Sequence, residues 1–365
     1  MKRHNRLKKH TLGLAAALLV TAGMSQIALA GDSVYVNTSS LRYRTSAQIK
    51  DNNIAGNLSY GQKLERVGTS GQWTMILLNG KKYYVSSAYV TSKKPASAGA
   101  VQTTSQTAAG AQTSGGTAIA LSSNYKYANY SKINSGTATL YRTTASNKKS
   151  KVVCVNAGHG TNGGGSVKTQ CHPDGSAKVT GGTTGAGATS AVAVSSGMTF
   201  ADGTAESKVT LAMAKVLKTK LLNAGYDVLM IRESDDVQLD NIARTVIANN
   251  NADCHIALHW DSTSSNKGAF FMSVPSNATY RAMEPVASHW KQHNQLGESL
   301  ISGLKSAGVK IYSKGSMEMD LTQTSYSTIP SVDIELGDKA SDHSGTTLET
   351  LANGLLAGVN TFFGQ

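Results

Sequence analysis

The chain has 365 residues, a formal net charge of +13 at pH 7 and three cysteines. An odd number of cysteines excludes a fold in which every cysteine is paired in a disulfide. Beyond residue 30, no stretch of the sequence has the roughly 20 consecutive apolar residues that are needed to cross a membrane.

The first thirty residues have the three-part layout of a secretory signal peptide. Lysines and arginines at positions 2–9 precede a mostly apolar run at 12–22, and the sequence ALA forms a cleavage site before Gly31. The apolar run is too short to span a bilayer, so we favour cleavage over an uncleaved membrane anchor. We therefore predict a signal peptide at residues 1–30, a mature chain that starts at Gly31, and secretion.

Charge is distributed unevenly along the mature chain. Residues 31–150 hold 14 lysines and arginines against 3 acidic residues, whereas residues 151–365 hold 16 against 19. A basic front half favours attraction to an anionic surface. Outside the cell we expect that surface to be an anionic envelope polymer and not nucleic acid; a generally soluble basic surface is the alternative.

Residues 33–93 consist of short runs in which apolar and polar residues alternate. The runs are SVYV, LRYR, KLERVG, QWTMILL and KKYYVSSAYV, and Asn, Gly and Ser separate them. Period-two patterns that break at such short intervals predict a small antiparallel barrel. We place this all-β domain at residues 31–93.

The composition changes at Lys94 to Ala, Ser, Thr, Gln and Gly, with almost no large apolar residue until about residue 120. Such a composition is typical of a flexible linker. We assign the linker to residues 94–148, although residues 123–150 also suit an edge element of the next domain.

Strand and helix patterns alternate from residue 149 to the C-terminus. KVVCVNA, YDVLMI, CHIALHW and PSVDIEL are apolar runs of strand length, and apolar residues at helical spacing lie between them. This alternation predicts an α/β domain at residues 149–365, in which helices cover both faces of a mostly parallel or mixed sheet.

Four polar residues are candidates for a site at the edge of this sheet. His159 follows the first strand and His259 ends the third, and sites gather at the carboxyl ends of parallel strands. Glu335 lies near the end of PSVDIEL, and Glu206 begins a helix, where an acid is also a common capping residue. Two imidazoles and a carboxylate suit a zinc ion with one position left for water, and a second carboxylate suits a general base.

Four segments of this domain occur in the order found in one enzyme family. They are VNAGHG, AESKVTLAMAKVLKTKLLNAGYDVLMIRES, LDNIARTVIANNNADCHIALHWDS and IPSVDIELGD. With them the chain resembles the zinc-dependent N-acetylmuramoyl-L-alanine amidases, bacterial peptidoglycan hydrolases of the Amidase_3 family. The resemblance implies that His159, Glu206 and His259 hold one Zn²⁺ ion and that Glu335 is the catalytic carboxylate. It also implies the reaction, hydrolysis of the amide between N-acetylmuramic acid and L-alanine of the stem peptide.

The N-terminal domain carries the segments LRYRTSA, GQKLERVG and GQWTMILLNGKKYYVSSAYV. In these segments and in its length it resembles a bacterial SH3-like (SH3b) module, which implies a small SH3-like barrel that binds the cell wall. Alternation places about half of its aromatic residues in the core. The aromatic candidates for a peptide groove are Tyr35, Tyr43, Tyr60, Trp73, Tyr83, Tyr84 and Tyr89.

Other polar residues compete for roles at the site. His255 shares a strand with His259, but four residues of strand separate the two by about 13 Å, too far for one metal ion. Asp333 shares a strand face with Glu335, and we favour a solvent-facing side chain over one that supports a ligand. Arg244 matches a family arginine and is either an ion-pair partner or a substrate contact. His172 has no recognisable ligand spacing.

The chain departs from the family at two places. Asn156 stands where the family usually has Asp, so a charged hydrogen bond from this position to a ligand would be lost. Forty-six residues, 160–205, separate His159 from Glu206, more than in shorter family members. This insertion is either a surface insertion or a mobile flap over the substrate.

The cysteines suit buried positions better than ligand positions. Cys154 and Cys254 each lie five residues before a predicted ligand histidine, on the opposite face of a strand. A bridge from Cys171 to either of them stays open.

We thus expect a secreted hydrolase at the cell wall. Its partners would be peptidoglycan and, through the basic N-terminal half, anionic wall polymers, with no nucleic acid and no membrane span after signal cleavage. Two alternatives are a non-catalytic wall-binding protein and a zinc peptidase that acts within the stem peptide. The presence of all four site residues disfavours the first alternative.

Overall fold

The computed structural model describes residues 32–37, 40–48, 53–59, 61–94 and 115–365. The predicted signal peptide, Gly31, Tyr60 and residues 95–114 lie outside the described residues. The chain divides into two compact units, residues 1–107 and residues 108–365.

The first unit is an antiparallel sheet of seven strands. They are β1 (Asp32–Val36), β2 (Ser40–Arg44), β3 (Ile54–Ser59), β4 (Lys63–Ser70), β5 (Trp73–Leu78), β6 (Lys81–Ser86) and β7 (Val90–Thr91). Their order in the sheet is β3-β2-β6-β5-β4-β1-β7. The alternation in the sequence arises because every second residue enters one small core. The buried core residues are Val34, Val36, Leu41, Leu58, Leu64, Ile76 and Val85. The prediction of a small all-β domain is confirmed.

The aromatic residues of this unit take different positions. Tyr43 and Tyr83 pack against the core and against each other, with ring centroids 4.9 Å apart. Tyr89 is exposed, and Tyr35, Trp73 and Tyr84 are half-buried. Fewer of these rings enter the core than alternation predicts.

The second unit has ten strands. They are β8 (Thr117–Ala120), β9 (Thr137–Tyr141), β10 (Val152–Ala157), β11 (Lys168–Gln170), β12 (Ser190–Val192), β13 (Asp227–Met230), β14 (Cys254–Asp261), β15 (Ala269–Ser273), β16 (Ile311–Glu318) and β17 (Ser331–Asp338). Eight of them form one sheet in the order β16-β15-β17-β14-β10-β13-β9-β8, and β11 and β12 form a separate ribbon. The four central strands are parallel, whereas β15 runs antiparallel to β17 and β9 runs antiparallel to β13.

Helices cover both faces of this sheet, as predicted. They are α1 (Glu206–Asn223), α2 (Asn241–Asn251), α3 (Ala278–Ala282), α4 (Val286–Ser306), α5 (Thr322–Tyr326) and α6 (Gly345–Phe363). Val153 and Val155 of β10 enter the core formed with α1, α4 and α6, and Cys154 enters the core formed with α2. The mixed α/β sheet expected from the alternating apolar runs is confirmed. Of the described helices, none combines the length and apolarity that a membrane span requires.

The predicted linker, residues 94–148, is too long. Strand β9 pairs with β13 and β8 pairs with β9, so the edge-element alternative for residues 123–150 is the one the structure supports. The sequence of β8 and β9 has no continuous apolar run, because these strands lie at an edge of the sheet, where most side chains stay partly exposed.

The segment between β8 and β9 is attached to the core by one buried carboxylate. Asp240 Oδ2 accepts hydrogen bonds from Lys132 N at 2.6 Å, Ile133 N at 2.9 Å and Ser131 Oγ at 3.0 Å. Its Oδ1 accepts from Ala243 N at 2.8 Å and caps α2. Residues 115–148 therefore belong to the fold of the second unit.

All three cysteines are buried free thiols. Cys154 and Cys254 lie in the cores on opposite faces of the sheet. The structure contains no bridge from Cys171 to either of them.

Asp240 provides a test of this attachment. We expect Asp240→Asn to lower the free energy of unfolding by about 2–4 kcal/mol, because the cap and charge-assisted hydrogen bonds are weakened together. Denaturant titration measures this change. Glu298→Gln, which removes an exposed carboxylate of α4, is the control and should change the free energy by less than about 0.5 kcal/mol. Equal small changes in both variants would contradict the assignment.

Candidate metal centre and its cleft

The sheet brings three of the predicted site residues together. His159 follows β10, His259 lies in β14, and Glu206 is the first residue of α1. His159 Nε2 lies 2.8 Å from Glu206 Oε1 and 3.0 Å from His259 Nδ1. His259 Nδ1 lies 3.2 Å from Glu206 Oε1. Three potential ligand atoms thus face one point.

These separations suit one small metal ion. Ligand atoms at about 2.0–2.1 Å from a tetrahedral zinc ion lie about 3.3 Å from one another, close to the three distances in this cluster. Two imidazole nitrogens and one carboxylate oxygen are also a donor set of catalytic zinc sites, with the fourth position left for water. The residues present therefore fit the zinc ion that the sequence predicts.

The loop after β10 fixes the orientation of His159. This residue has a left-handed backbone with φ of 63°, which is uncommon for a residue other than glycine and requires support from its surroundings. The neighbouring Gly158 is required because a Cβ there would lie 2.2 Å from the ring of His259. His159 Nδ1 donates to the carbonyl of Ser195 at 2.9 Å. The proton on Nδ1 leaves the lone pair of Nε2 free for a ligand.

Glu206 is a buried carboxylate whose contacts lie outside its own helix. Its Oε2 accepts from Met198 N at 2.8 Å, and its Oε1 accepts from Trp260 N at 3.0 Å. Burial opposes its ionisation, but the proximity of the His159 and His259 rings outweighs burial and holds its pKa well below the usual range. Glu206 is therefore ionised, and the alternative that it only caps α1 does not match these contacts.

Glu335 and Asp333 complete one side of the cluster. Both lie on β17, whose Glu335 pairs in register with His259. Glu335 Oε2 and Asp333 Oδ1 are buried, and neither has a hydrogen-bond partner among the residues that the structure describes. Burial raises the pKa of Glu335 well above its ordinary value, and the neighbouring Asp333 raises it further. The expectation that Asp333 faces solvent is wrong, because only 16% of its side chain is exposed and its Oδ2 lies 3.6 Å from His259 Nε2.

Two buried arginines hold the backbone that carries His159. Arg232 donates to the carbonyls of Ala157 at 3.1 Å and Gly158 at 2.9 Å. Arg244 Nη2 donates to the carbonyl of His159 at 2.7 Å. Burial lowers the pKa of Arg244 to about 9, with a further contribution from the charge of Arg232. Arg244 thus positions the ligand loop, a role that differs from both predicted alternatives.

Asn156 connects Arg244 to a buried histidine and does not bond the ring of His159. Its Oδ1 accepts from Arg244 Nη1 at 3.1 Å, so its Nδ2 must face His255 Nε2, at 3.2 Å, as a donor. His255 Nε2 is then an acceptor, and its Nδ1 donates to Ser331 Oγ at 3.3 Å. Burial, with the charge of Arg244, lowers the pKa of His255 to about 3. His255 is a neutral core residue and lies outside the ligand cluster, as predicted.

The insertion 160–205 forms one wall of a cleft of about 540 Å³ above the cluster. The ribbon β11–β12 lies within the insertion, and Met272, Met317 and Met319 also line the cleft. The insertion is therefore part of the cleft and not a remote surface loop.

A buried carboxylate, Asp320, attaches this wall to the rest of the unit. Its Oδ2 interacts with His172 Nε2 at 3.0 Å and accepts from Val179 N at 2.7 Å. Its Oδ1 accepts from Lys178 Nζ at 3.0 Å and Thr180 N at 3.0 Å. His172, which had no assigned role from its spacing, is thus an anchor of the insertion.

Comparison with known proteins identifies the family of the second unit. Residues 153–353 match the family Amidase_3, N-acetylmuramoyl-L-alanine amidase. The chain belongs to this family.

Three solved amidases illustrate the similarity. Ami1 of Mycobacterium smegmatis has 19% identity and a TM-score of 0.45, and the alignment covers 60% of this chain and 99% of Ami1. Ami1 of Mycobacterium abscessus has 20% identity and a TM-score of 0.44, with 58% and 98% covered. The amidase of Clostridium difficile 630 has 16% identity and a TM-score of 0.42, with 59% and 97% covered. No match was found among curated proteins.

The match to Amidase_3 spans all four predicted site residues. Sequence reasoning missed the groups that hold them in place, namely the carbonyl of Ser195, the amides of Met198 and Trp260, and the side chain of Arg232. Three of these are backbone groups, which any residue type supplies, so no sequence pattern marks them.

Asp320 tests the attachment of the cleft wall. We expect trypsin to cut the Asp320→Asn variant after Lys178 at least about tenfold faster than the parent, because the buried lysine loses its charged partner and the segment opens more often. Mass spectrometry of the digest gives the rate at this bond. Asp174→Asn, which removes an exposed carboxylate of the same insertion, should leave the rate unchanged. Equal rates in all three proteins would show that Asp320 does not hold the wall.

His255 makes the stability of the second unit dependent on pH. Burial lowers its pKa from the ordinary value of 6.5 to about 3 in the folded chain, so between these values only the unfolded chain gains the proton. The contribution of neutral His255 to the free energy of unfolding is fully present above pH 6.5. It is lost as pH decreases toward 3, by up to about 1.4 kcal/mol per pH unit. Denaturant titrations at pH 7, 6 and 5 give the free energy of unfolding at each pH. In His255→Gln this free energy should change less with pH than in the parent. An unchanged pH dependence would contradict a neutral buried His255.

Proposed function

We propose that the chain is a secreted, zinc-dependent N-acetylmuramoyl-L-alanine amidase. Its reaction is the hydrolysis of the amide between N-acetylmuramic acid and L-alanine of the peptidoglycan stem peptide. One observation carries the proposal: His159, Glu206 and His259 converge beside Glu335 in a cleft of an Amidase_3 domain.

The charges of the site support a cation as the occupant. Burial lowers the pKa of His259, but Asp333, Glu206 and Glu335 outweigh it and raise this pKa to about 10. Three carboxyl groups therefore favour a positive charge at a position where two imidazoles and one carboxylate oxygen already point. A divalent ion brings two positive charges to this position, whereas a proton on His259 brings only one.

A zinc ion bound there would lower the pKa of a water ligand to about 7 and polarise the carbonyl of the scissile amide. Glu335 has an unpartnered Oε2 next to this position, so it is placed to hold the proton taken from the attacking water. The same atom then delivers the proton to the nitrogen of the leaving L-alanine amine, which makes Glu335 the general base and the general acid.

The cleft walls suit a substrate that is partly sugar and partly peptide. Thr183, Thr184 and Ser196 of the insertion supply hydroxyl groups along one wall. Met272 and Met317 also line the cleft, and their flexible side chains would provide an adaptable apolar surface for methyl groups of the lactyl and alanyl units.

The N-terminal unit would bring the enzyme to its substrate. Its resemblance to SH3b modules and its all-antiparallel sheet support a wall-binding domain. The positive charge of residues 31–150 supports attraction to anionic wall polymers. Secretion follows from the predicted signal peptide.

The proposal is tested by purified peptidoglycan and two variants. We expect the mature protein with one zinc ion per chain to release muropeptides with new L-alanine amino termini. Glu335→Gln should reduce the rate by about 100- to 10,000-fold while zinc content stays the same, because only proton transfer is lost. His159→Ala should lose zinc and activity together.

The other outcomes identify different functions. New amino termini on residues other than L-alanine would indicate a zinc peptidase that acts within the stem peptide. Zinc binding and wall binding without any cleavage would indicate a non-catalytic wall-binding protein. Full activity of Glu335→Gln would remove Glu335 from the mechanism.

A further inference from the structure

The two ligand histidines present different nitrogens to the metal position. His159 uses Nε2 and donates its Nδ1 proton to the carbonyl of Ser195. His259 uses Nδ1, so in the neutral ring its proton must lie on Nε2. An acceptor for the second N–H of a ligand histidine fixes the orientation of its ring.

Asp333 is the carboxylate that faces this second nitrogen. Its Oδ2 lies 3.6 Å from His259 Nε2, and the side chains of the two residues are 16% and 19% exposed. Asp333 pairs in register with Ala257 on β14, two residues before His259, so the rigid sheet sets the approach of the two groups.

A small rotation of the Asp333 side chain would bring its Oδ2 within hydrogen-bond distance of His259 Nε2. A hydrogen bond between these atoms would measure about 2.7–3.2 Å, roughly half an ångström less than the present separation. The other oxygen, Asp333 Oδ1, has no hydrogen-bond partner. No hydrogen bond of Oδ1 therefore opposes a small rotation of the carboxylate toward His259.

We propose that Asp333 is the positioning residue of the ligand His259. Its carboxylate accepts a hydrogen bond from Nε2–H of His259, which keeps the lone pair of Nδ1 directed at the metal position that His159 Nε2 and Glu206 Oε1 also face. A carboxylate in this role also makes the imidazole a more basic ligand. The inference rests on the zinc site proposed above and assigns to Asp333 a function that Glu335, its neighbour on the same strand face, does not share.

Zinc affinity tests the proposal without any substrate. Competition with a chromophoric chelator measures the dissociation constant of the full chain for zinc ion alone. We expect Asp333→Asn to raise this constant by about 10- to 100-fold, the usual effect of losing such a partner. The control is Asp261→Asn, which removes another carboxylate of the cleft whose oxygens contact Lys267 and Thr263 instead. The control should change the constant by less than about threefold.

The proton position on His259 gives a second test in the unmodified protein. In zinc-loaded chain labelled with ¹⁵N-histidine, long-range ¹H–¹⁵N spectra should show His259 with its proton on Nε2 and metal on Nδ1. The Nε2 proton resonance should lie downfield and should move upfield in Asp333→Asn. A purely structural role of Asp333 would leave this resonance in place.

Each remaining outcome is decisive. Zinc affinity of Asp333→Asn within about threefold of the parent, or zinc on Nε2 of His259, would overturn the role of Asp333 and leave the zinc enzyme intact. Failure of the parent chain to bind zinc would overturn the proposed function and this inference together. If Asp333→Asn does not fold, the spectrum of the parent alone decides the proposal.

Discussion

A buried negative charge at Glu206 is the constraint on which the arrangement of the second unit depends. Its carboxylate is stable away from water only because hydrogen-bond donors reach it from separate parts of the chain, Met198 in the insertion and Trp260 on β14. The helix α1, the insertion and the central strands must therefore dock together before the charge is satisfied. This requirement places the ligand atoms with an accuracy that a loop on the surface would lack.

Positive charge is supplied nearby in a form that does not compete with the site. Arg232 and Arg244 donate hydrogen bonds to backbone carbonyls of the His159 loop. Asn156 connects Arg244 to the neutral His255. Asn156 is uncharged, so the negative charge that opposes the lowering of the Arg244 pKa comes from Asp240 and Asp236. The loop is thus held by charged groups, while the carboxylates face the opposite side, toward the cleft.

Apolar patterning predicted the central part of the fold and placed His159, His259 and Glu335 at the ends of its strands. The strands β10, β14 and β17 are buried on both faces, so their runs are continuous and end abruptly at the residues that carry chemistry. Edge strands β8 and β9 lack this signal. The Asp320–Lys178 pair joins residues 142 positions apart, and the neighbour of Asp333 across the sheet is set by register, so neither contact has a local signature. These long-range polar contacts are what pattern reasoning could not supply.

The buried thiols have a consequence for how the chain reaches its native state. Cys154 and Cys254 are separated by the thickness of the sheet, and burial raises the pKa of both, so neither is reactive once the strands have paired. Before that moment both are accessible in a flexible polypeptide. A disulfide formed between them would be incompatible with the two cores, because it would have to pass through the sheet. In an oxidising compartment, the folding chain would have to pair these strands before the two thiols oxidise.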